Sequence, residues 1–228
     1  MKYFTCTDYK QACYPHTWQK INSVIGSEEH PADRQHWPPF RGTDTRNNYL
    51  NIFLNYVEQN KVQEPEDIQW FVETGTHMGA TAMHFASIME RVHTIEKYGT
   101  KITHLGQPLP ENHYQTMLKE FPNIKMLWGD SPECLSMVFR EDPEYRHQRA
   151  VFLLDAHNGT SEVPLLAELE SIHQWSAIQN HFIMIDDGAD CGKDNFPPYE
   201  AIQDLLWQIN SKFNVEYTGH CRNVIVAY

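Results

Sequence analysis

The chain has 228 residues, 41% of them hydrophobic, enough for one core of ordinary domain size. Its formal net charge of -12 argues against a surface built for a polyphosphate backbone, so nucleic acid is not an expected partner. The opening MKYFTCTDYK lacks the apolar stretch of a secretory signal, and no run approaches the roughly 18 apolar residues of a spanning helix, so a soluble cytoplasmic protein without membrane contact is expected.

Residues 1 to 66 are rich in proline, histidine and large aromatics (Trp18, Trp37, Phe40, Tyr49). Within them, TRNNYLNIFLNYVEQN sets Tyr49, Leu50, Phe53, Leu54 and Val57 three and four residues apart, the period of an amphipathic helix. This stretch is expected to be an extension packed on the main domain, too irregular for a core of its own. Its aromatics either pack or line a pocket for a substrate, and such an arm makes a homodimer a candidate assembly. Cys6 and Cys13 lie near His16, but their spacing suits no common metal frame. Five scattered cysteines without a C-x-x-C pair read as free thiols.

From 67 to 228 short apolar runs alternate with segments of helical length. QWFVET (69–74), RVHTIEK (91–97), KMLWGD (125–130), AVFLLDA (150–156) and HFIMIDD (181–187) read as strands buried on both faces. ATAMHFASIME, ENHYQTMLKEF, SPECLSMVFRE, VPLLAELESIHQW and FPPYEAIQDLLWQI read as helices, the third with Ser131 as N-cap and Pro132 at its first position. KFNVEYTGHCRNVIVAY reads as two strands turning near Gly219. The expected fold is therefore α/β: a doubly wound, Rossmann-like, mostly parallel sheet with a C-terminal antiparallel hairpin and an N-terminal helical extension.

Ligands of such sheets collect beyond the carboxyl ends of the strands. Residues just after 73, 96, 129, 154 and 185 should thus share one crevice. At its first corner stands WFVETGTHMGATA, where Gly75 permits a turn that a Cβ would obstruct and Gly79 allows close approach. Glu73 would repel a pyrophosphate there, and E-x-G-x-x-x-G is not the G-x-G-x-x-G of a dinucleotide site, so a cationic ligand suits the corner better. Glu96 ends the second strand, where an acid accepts hydrogen bonds from ribose hydroxyls. Gly129-Asp130-Ser131 follows the third, with short polar side chains able to meet an adenine amine.

These residues resemble the class I S-adenosylmethionine-dependent methyltransferases over positions 67 to 228. ETGTHMG is similar to that family's first motif, VHTIEK to its second, and GDS to the loop after its third strand. The resemblance implies S-adenosyl-L-methionine as cofactor. It implies Glu73, Thr74, Gly75, Thr76 and Gly79 at the methionine end, Glu96 on the ribose, and Asp130 with Ser131 near the adenine.

FLLDAHNG puts Asp155 and His157 after the fourth strand, and FIMIDDG puts Asp186 and Asp187 after the fifth. Carboxylates on neighbouring strand tips can converge on one hard cation such as Mg²⁺, which relieves their repulsion. The set resembles a subgroup of the same superfamily, the metal-dependent sugar O-methyltransferases of antibiotic pathways and the cephalosporin-hydroxylase-like proteins. That resemblance implies Asp155, Asp186 and Asp187 as Mg²⁺ ligands, although His157 stands where the subgroup often has a second acid. Asp155 and His157 are both candidate bases for removing a proton from a small hydroxylated acceptor, a sugar or glycosylated metabolite. Two other expectations stay open: a metal-independent methyltransferase acting on nitrogen or protein, and a non-catalytic protein that binds the cofactor. Cys191, beyond the paired aspartates, is a weaker candidate nucleophile.

Overall fold

The computed structural model describes residues 49–99, 111–156, 163–219 and 222–228. Seven strands form one sheet: β1 (Trp70–Thr74), β2 (Arg91–Glu96), β3 (Ile124–Trp128), β4 (Ala150–Leu154), β5 (Phe182–Ile185), β6 (Val215–Thr218) and β7 (Val224–Ala227). The α-helices among the described residues are α1 (Tyr49–Glu58), α2 (Ala80–Ala86), α3 (His113–Glu120), α4 (Ser131–Glu141), α5 (Leu165–Trp175) and α6 (Tyr199–Ile209). Each strand expected from the apolar runs is present to within two residues or so. Two ends move: α2 stops at Ala86 instead of running on to Glu90, and the N-cap of α4 is Asp130, which leaves Ser131 as the first helical residue.

The strand order is β3-β2-β1-β4-β5-β7-β6. β1 to β5 pair in parallel, while β7 lies antiparallel between β5 and β6. The C-terminal hairpin therefore does not add its strands to the edge in chain order. Its last strand enters the sheet, and β6 becomes the edge. VIVA is buried at every position, whereas VEYT of β6 is half-buried throughout, and this difference in apolar content matches the two places.

Alternation along the strands divides the core in two. Phe71, Val92, Val151, Leu153 and Met184 face α1, α2 and α3. Val72, Ile95, Phe152, Leu154 and Ile185 face α4, α5 and α6. α1 seats itself with Phe53 and Tyr56, edge-to-face on Phe182 at 5.3 and 5.4 Å. At its far end the Tyr56 hydroxyl and the Lys61 ammonium each donate to Glu216 on β6 at 2.7 Å. Residues 1–48, with Cys6, Cys13, His16, Trp18, Trp37 and Phe40, lie outside the described residues. Within those described, no helix is long and apolar enough to cross a membrane.

Candidate active site

β1 delivers the chain to its corner between β2 and β4. The N–H groups of Gly75 and Thr76 both donate to the Ile95 carbonyl of β2, at 2.9 and 3.1 Å. Gly75 sits at φ +85°, and a Cβ there would run into the backbone carbonyl of Asp155 at the tip of β4. From the other side the Asp155 N–H donates to Thr74, to its carbonyl at 3.1 Å and its hydroxyl at 3.2 Å. Gly75 is thus required by the close passage of two strand ends as well as by its dihedral. Gly79 is favoured by its left-handed φ of +73°, and a Cβ there would also displace the Met117 sulfur of α3. Between them His77 takes a left-handed φ of 47°. Its N–H donates to Glu96 Oε2 at 3.0 Å and its carbonyl accepts from the Tyr114 hydroxyl at 2.6 Å. Backbone atoms of His77 thus fasten the loop to β2 and α3.

Glu73 points toward α2 and is buried. Its Oε2 accepts from the Thr94 hydroxyl of β2 at 2.7 Å, and that hydroxyl shares a further 2.7 Å hydrogen bond with Thr76. Thr81, on the first turn of α2, also hydrogen-bonds the carboxyl. Burial pushes the Glu73 carboxyl up to about 8, and the charge of Glu96 adds to the rise against the pull of the two threonines.

Glu96 ends β2 half-buried, with three backbone N–H groups on its carboxylate: His77 on Oε2, and Tyr98 and Gly99 on Oε1, each at 3.1 Å. It ties the glycine corner to the loop after β2. Asp130, after β3, is bridged by Lys97 Nζ at 2.5 Å, an exposed pair that spans the tips of β2 and β3. Ser131 is buried at the start of α4. The expected nucleoside contacts thus lie side by side on adjacent strands.

The acids after β4 and β5 lie within one another's electrostatic field. Asp155 is held well above the usual carboxylate range by burial first and then by the charges of Asp186, Glu73, Asp187 and Glu168. Asp186 is buried, and Asp187 adopts a left-handed φ of 52°. The Asn223 amide donates to both, at 3.2 Å to Asp186 Oδ1 and 2.9 Å to Asp187 Oδ1. Gly188 makes this approach possible: its N–H donates to the Asn223 carbonyl at 2.7 Å, and a Cβ would lie 2.9 Å from Ile225. From α1 the Tyr49 hydroxyl hydrogen-bonds Asp186 and lies within the field of Asp155 and Asp187, which, after burial, hold its phenol well above its usual range. His157 lies outside the described residues.

The strand order reverses between β1 and β4, and the sheet is six parallel strands with one reversed strand inserted next to the last. No protein-family model matches the sequence, and no curated protein matches it. Solved structures do resemble it in shape. CalS11, a calicheamicin methyltransferase, superposes with a TM-score of 0.50 at 11% identity, over 99% of this chain and 94% of that one. Its apo structure, described as a TDP-rhamnose 3'-O-methyltransferase, gives 0.51 at 13% identity over 93% of both chains. A candidate O-methyltransferase from Klebsiella pneumoniae follows at 0.48 and 12% identity, over 92% of this chain and 89% of that one. The fold is that of the class I methyltransferases.

Within this fold the acids after β4 and β5 are the residues that would hold a metal ion. Their donors are oxygens, as Mg²⁺ prefers. As arranged, however, no three histidine, cysteine, aspartate or glutamate side chains among the described residues are gathered closely enough to hold an ion. Asn223 instead occupies an oxygen of each paired aspartate. The described residues therefore do not fit a ready-made Mg²⁺ site. Cys191 is half-buried, its thiol raised by burial, and Tyr217 is its side-chain hydrogen-bond partner. A raised thiol makes a poor nucleophile.

Four residues of the crevice escaped the sequence reading as polar contacts: Tyr49, Thr94, Lys97 and Asn223. Tyr49 was visible only as one apolar position of a helix, and its hydroxyl meets an aspartate more than a hundred residues on. Asn223 reaches the acids because β7 is inserted, which no local pattern announces. For Lys97 the signal was local: it follows Glu96 directly and leans toward the next strand tip.

Proposed function

We propose that the chain transfers the methyl group of S-adenosyl-L-methionine to a hydroxyl of a small acceptor, a sugar or a glycosylated metabolite. One observation carries the reading: the Gly75 corner stands at the switch point of the sheet while Glu96, at the tip of the next strand, is fastened to that same corner. In this reading Glu73, Thr74, Gly75, Thr76 and Gly79 surround the methionine end of the donor. Glu96 receives the ribose hydroxyls, and Asp130 and Ser131 border the adenine. The sugar acceptor is supported by CalS11, whose described substrate is TDP-rhamnose.

The acceptor then lies over the tips of β4 and β5. Its hydroxyl oxygen attacks the methyl carbon, the carbon–sulfur bond breaks toward sulfur, and the hydroxyl proton passes to a carboxylate. Asp155 stands at that position, so it must be ionised to receive a proton. Its upward shift means that turnover rises as pH climbs through its folded value. His157 is the other candidate base. Much of the acceleration comes from alignment of oxygen, methyl carbon and sulfur. A bound Mg²⁺ would acidify the acceptor hydroxyl by coordination. Because the acids described are not gathered to hold one, no step is routed through it, and a metal-free transfer is the form the Asn223 contacts favour.

Calorimetric titration with S-adenosylmethionine and S-adenosylhomocysteine, with Mg²⁺ and with EDTA, tests the assignment. Glu96→Ala is expected to weaken both ligands by about a hundredfold or more, since two hydrogen bonds to a charged group are worth roughly 1.5–3 kcal/mol each. The double replacement of Asp186 and Asp187 by Ala is expected to leave both affinities intact and to lower label transfer to sugar acceptors. Wild-type affinity in Glu96→Ala would refute the placement of the nucleoside.

A further inference from the structure

Glu73 lies 2% exposed beneath the glycine corner, and its described hydrogen bonds come from threonine hydroxyls. A buried carboxylate needs a cation or several strong donors to remain charged. The described groups around it supply two hydroxyl donors and no cation. On β2 it meets Thr94 and the negative Glu96, and on α2 Thr81. His84, a turn further along α2, is kept neutral by burial, which lowers it to about 4. Beyond β4 stands Asp155, on which the charge of Glu73 acts unfavourably. Among the described residues, the corner is thus built around an acid with no resident counter-charge.

We infer that Glu73 is a charge-sensing residue, which keeps a proton while the crevice lacks a cation and releases it when the sulfonium-bearing methyl donor arrives. This rests on the reading of the crevice as an S-adenosylmethionine site and adds a device to it. The donor carries a sulfonium beside its ammonium and carboxylate and is net positive, whereas the product left after transfer keeps only the ammonium and carboxylate and is net neutral. Charge in a dry environment acts strongly over short distances, so direct contact is not required. The O–H bond of the carboxyl breaks, its proton passes to solvent, and the Thr94–Thr76 hydroxyl pair connects the carboxyl with the glycine loop. Product binding, with one positive charge fewer, recovers part of that proton. The site thereby prefers donor to product through the charge on sulfur, and that preference strengthens as pH rises toward 8.

The test is calorimetry of the wild-type chain and of Glu73→Gln at about pH 6.5, in two buffers of different ionisation enthalpy, which counts protons released on binding. With S-adenosylmethionine the wild type is expected to release close to one proton more than Glu73→Gln, and with S-adenosylhomocysteine clearly less. Donor affinity of the wild type should climb by up to about tenfold per pH unit below about pH 8 and level off above it. Equal proton counts in wild type and Glu73→Gln, or equal counts for donor and product, overturn the inference. Should Glu73→Gln fail to fold, the donor–product comparison on the wild type decides alone. No binding of either nucleoside refutes the crevice reading and the inference with it, whereas binding without proton release refutes the inference only.

Discussion

Gly75 and Gly192 share a left-handed φ, +85° and +74°, but an added methyl group would find a backbone carbonyl at the first and nothing within 4 Å at the second. The dihedral alone costs about 1–2 kcal/mol for a residue with a Cβ. At Gly75 the collision with Asp155 adds to that, because neither strand tip can retreat without breaking the hydrogen bonds between Thr74 and Asp155. Gly75→Ala should therefore lower the melting temperature by clearly more than Gly192→Ala, at about 2–4 °C per kcal/mol for a chain of this size. Scanning calorimetry of the two variants checks this, and equal shifts would show that the strand tips are not tightly apposed. Glu96 illustrates a different economy at the same scale. Its three backbone hydrogen bonds hold two loops in place and fix the orientation of its carboxylate.

Among the elements, α1 has the least obvious part. It reads in sequence as an amphipathic helix of an extension, yet it closes one face of the sheet and carries Tyr49 to the acids. Phe53 anchors it against Phe182 and Phe85, with ring centroids 5.3 and 6.3 Å away. Phe53→Ala should cost about 3–5 kcal/mol, the range for a fully buried ring, read as a drop in the denaturant midpoint at unchanged slope. The strands and helices were legible because burial on both faces writes a continuous apolar run, and one-sided burial writes a 3.6-residue period. Glu73, Glu96 and the paired aspartates were legible as well, since each stands where a strand stops. What surrounds them was not. The partner of Glu73 is a threonine inside an apolar strand, and the partner of Asp186 and Asp187 follows them by more than thirty residues. The one-residue slip at Ser131 has a local cause: Asp130 has the extended backbone of an N-cap, at φ −67° and ψ 132°, and leaves Pro132 in the first turn.

For the whole molecule, pH should act from both sides. Burial lowers His84 and His93 to about 4 and His181 to about 3, below their ordinary 6.5. A group whose folded value is depressed stabilises the fold above its unfolded value, and that contribution is lost as pH falls through the folded one. These histidines therefore destabilise the chain progressively from about pH 6.5 down to about 4. Glu73 behaves oppositely. Its raised value means a contribution present in full below about 4.5 and lost as pH rises through about 8. Thermal melts across pH should show a steep acid limb set by three sites, a shallower alkaline decline, and a maximum between them. Glu73→Gln should flatten the alkaline side and, because Glu73 opposes the histidines above about pH 4.5, steepen the upper part of the acid limb.

The reversed strand β7 has a consequence in time. Until residues 224–227 slide between β5 and β6, the interior edge of β5 is bare and β6 has no partner in the sheet. Asn223 immediately precedes β7, so the amide that secures Asp186 and Asp187 arrives in the same event. A chain folded only through β5 would hold Asp186 and Asp187 without the Asn223 amide, so these acids are secured only once β7 has entered the sheet.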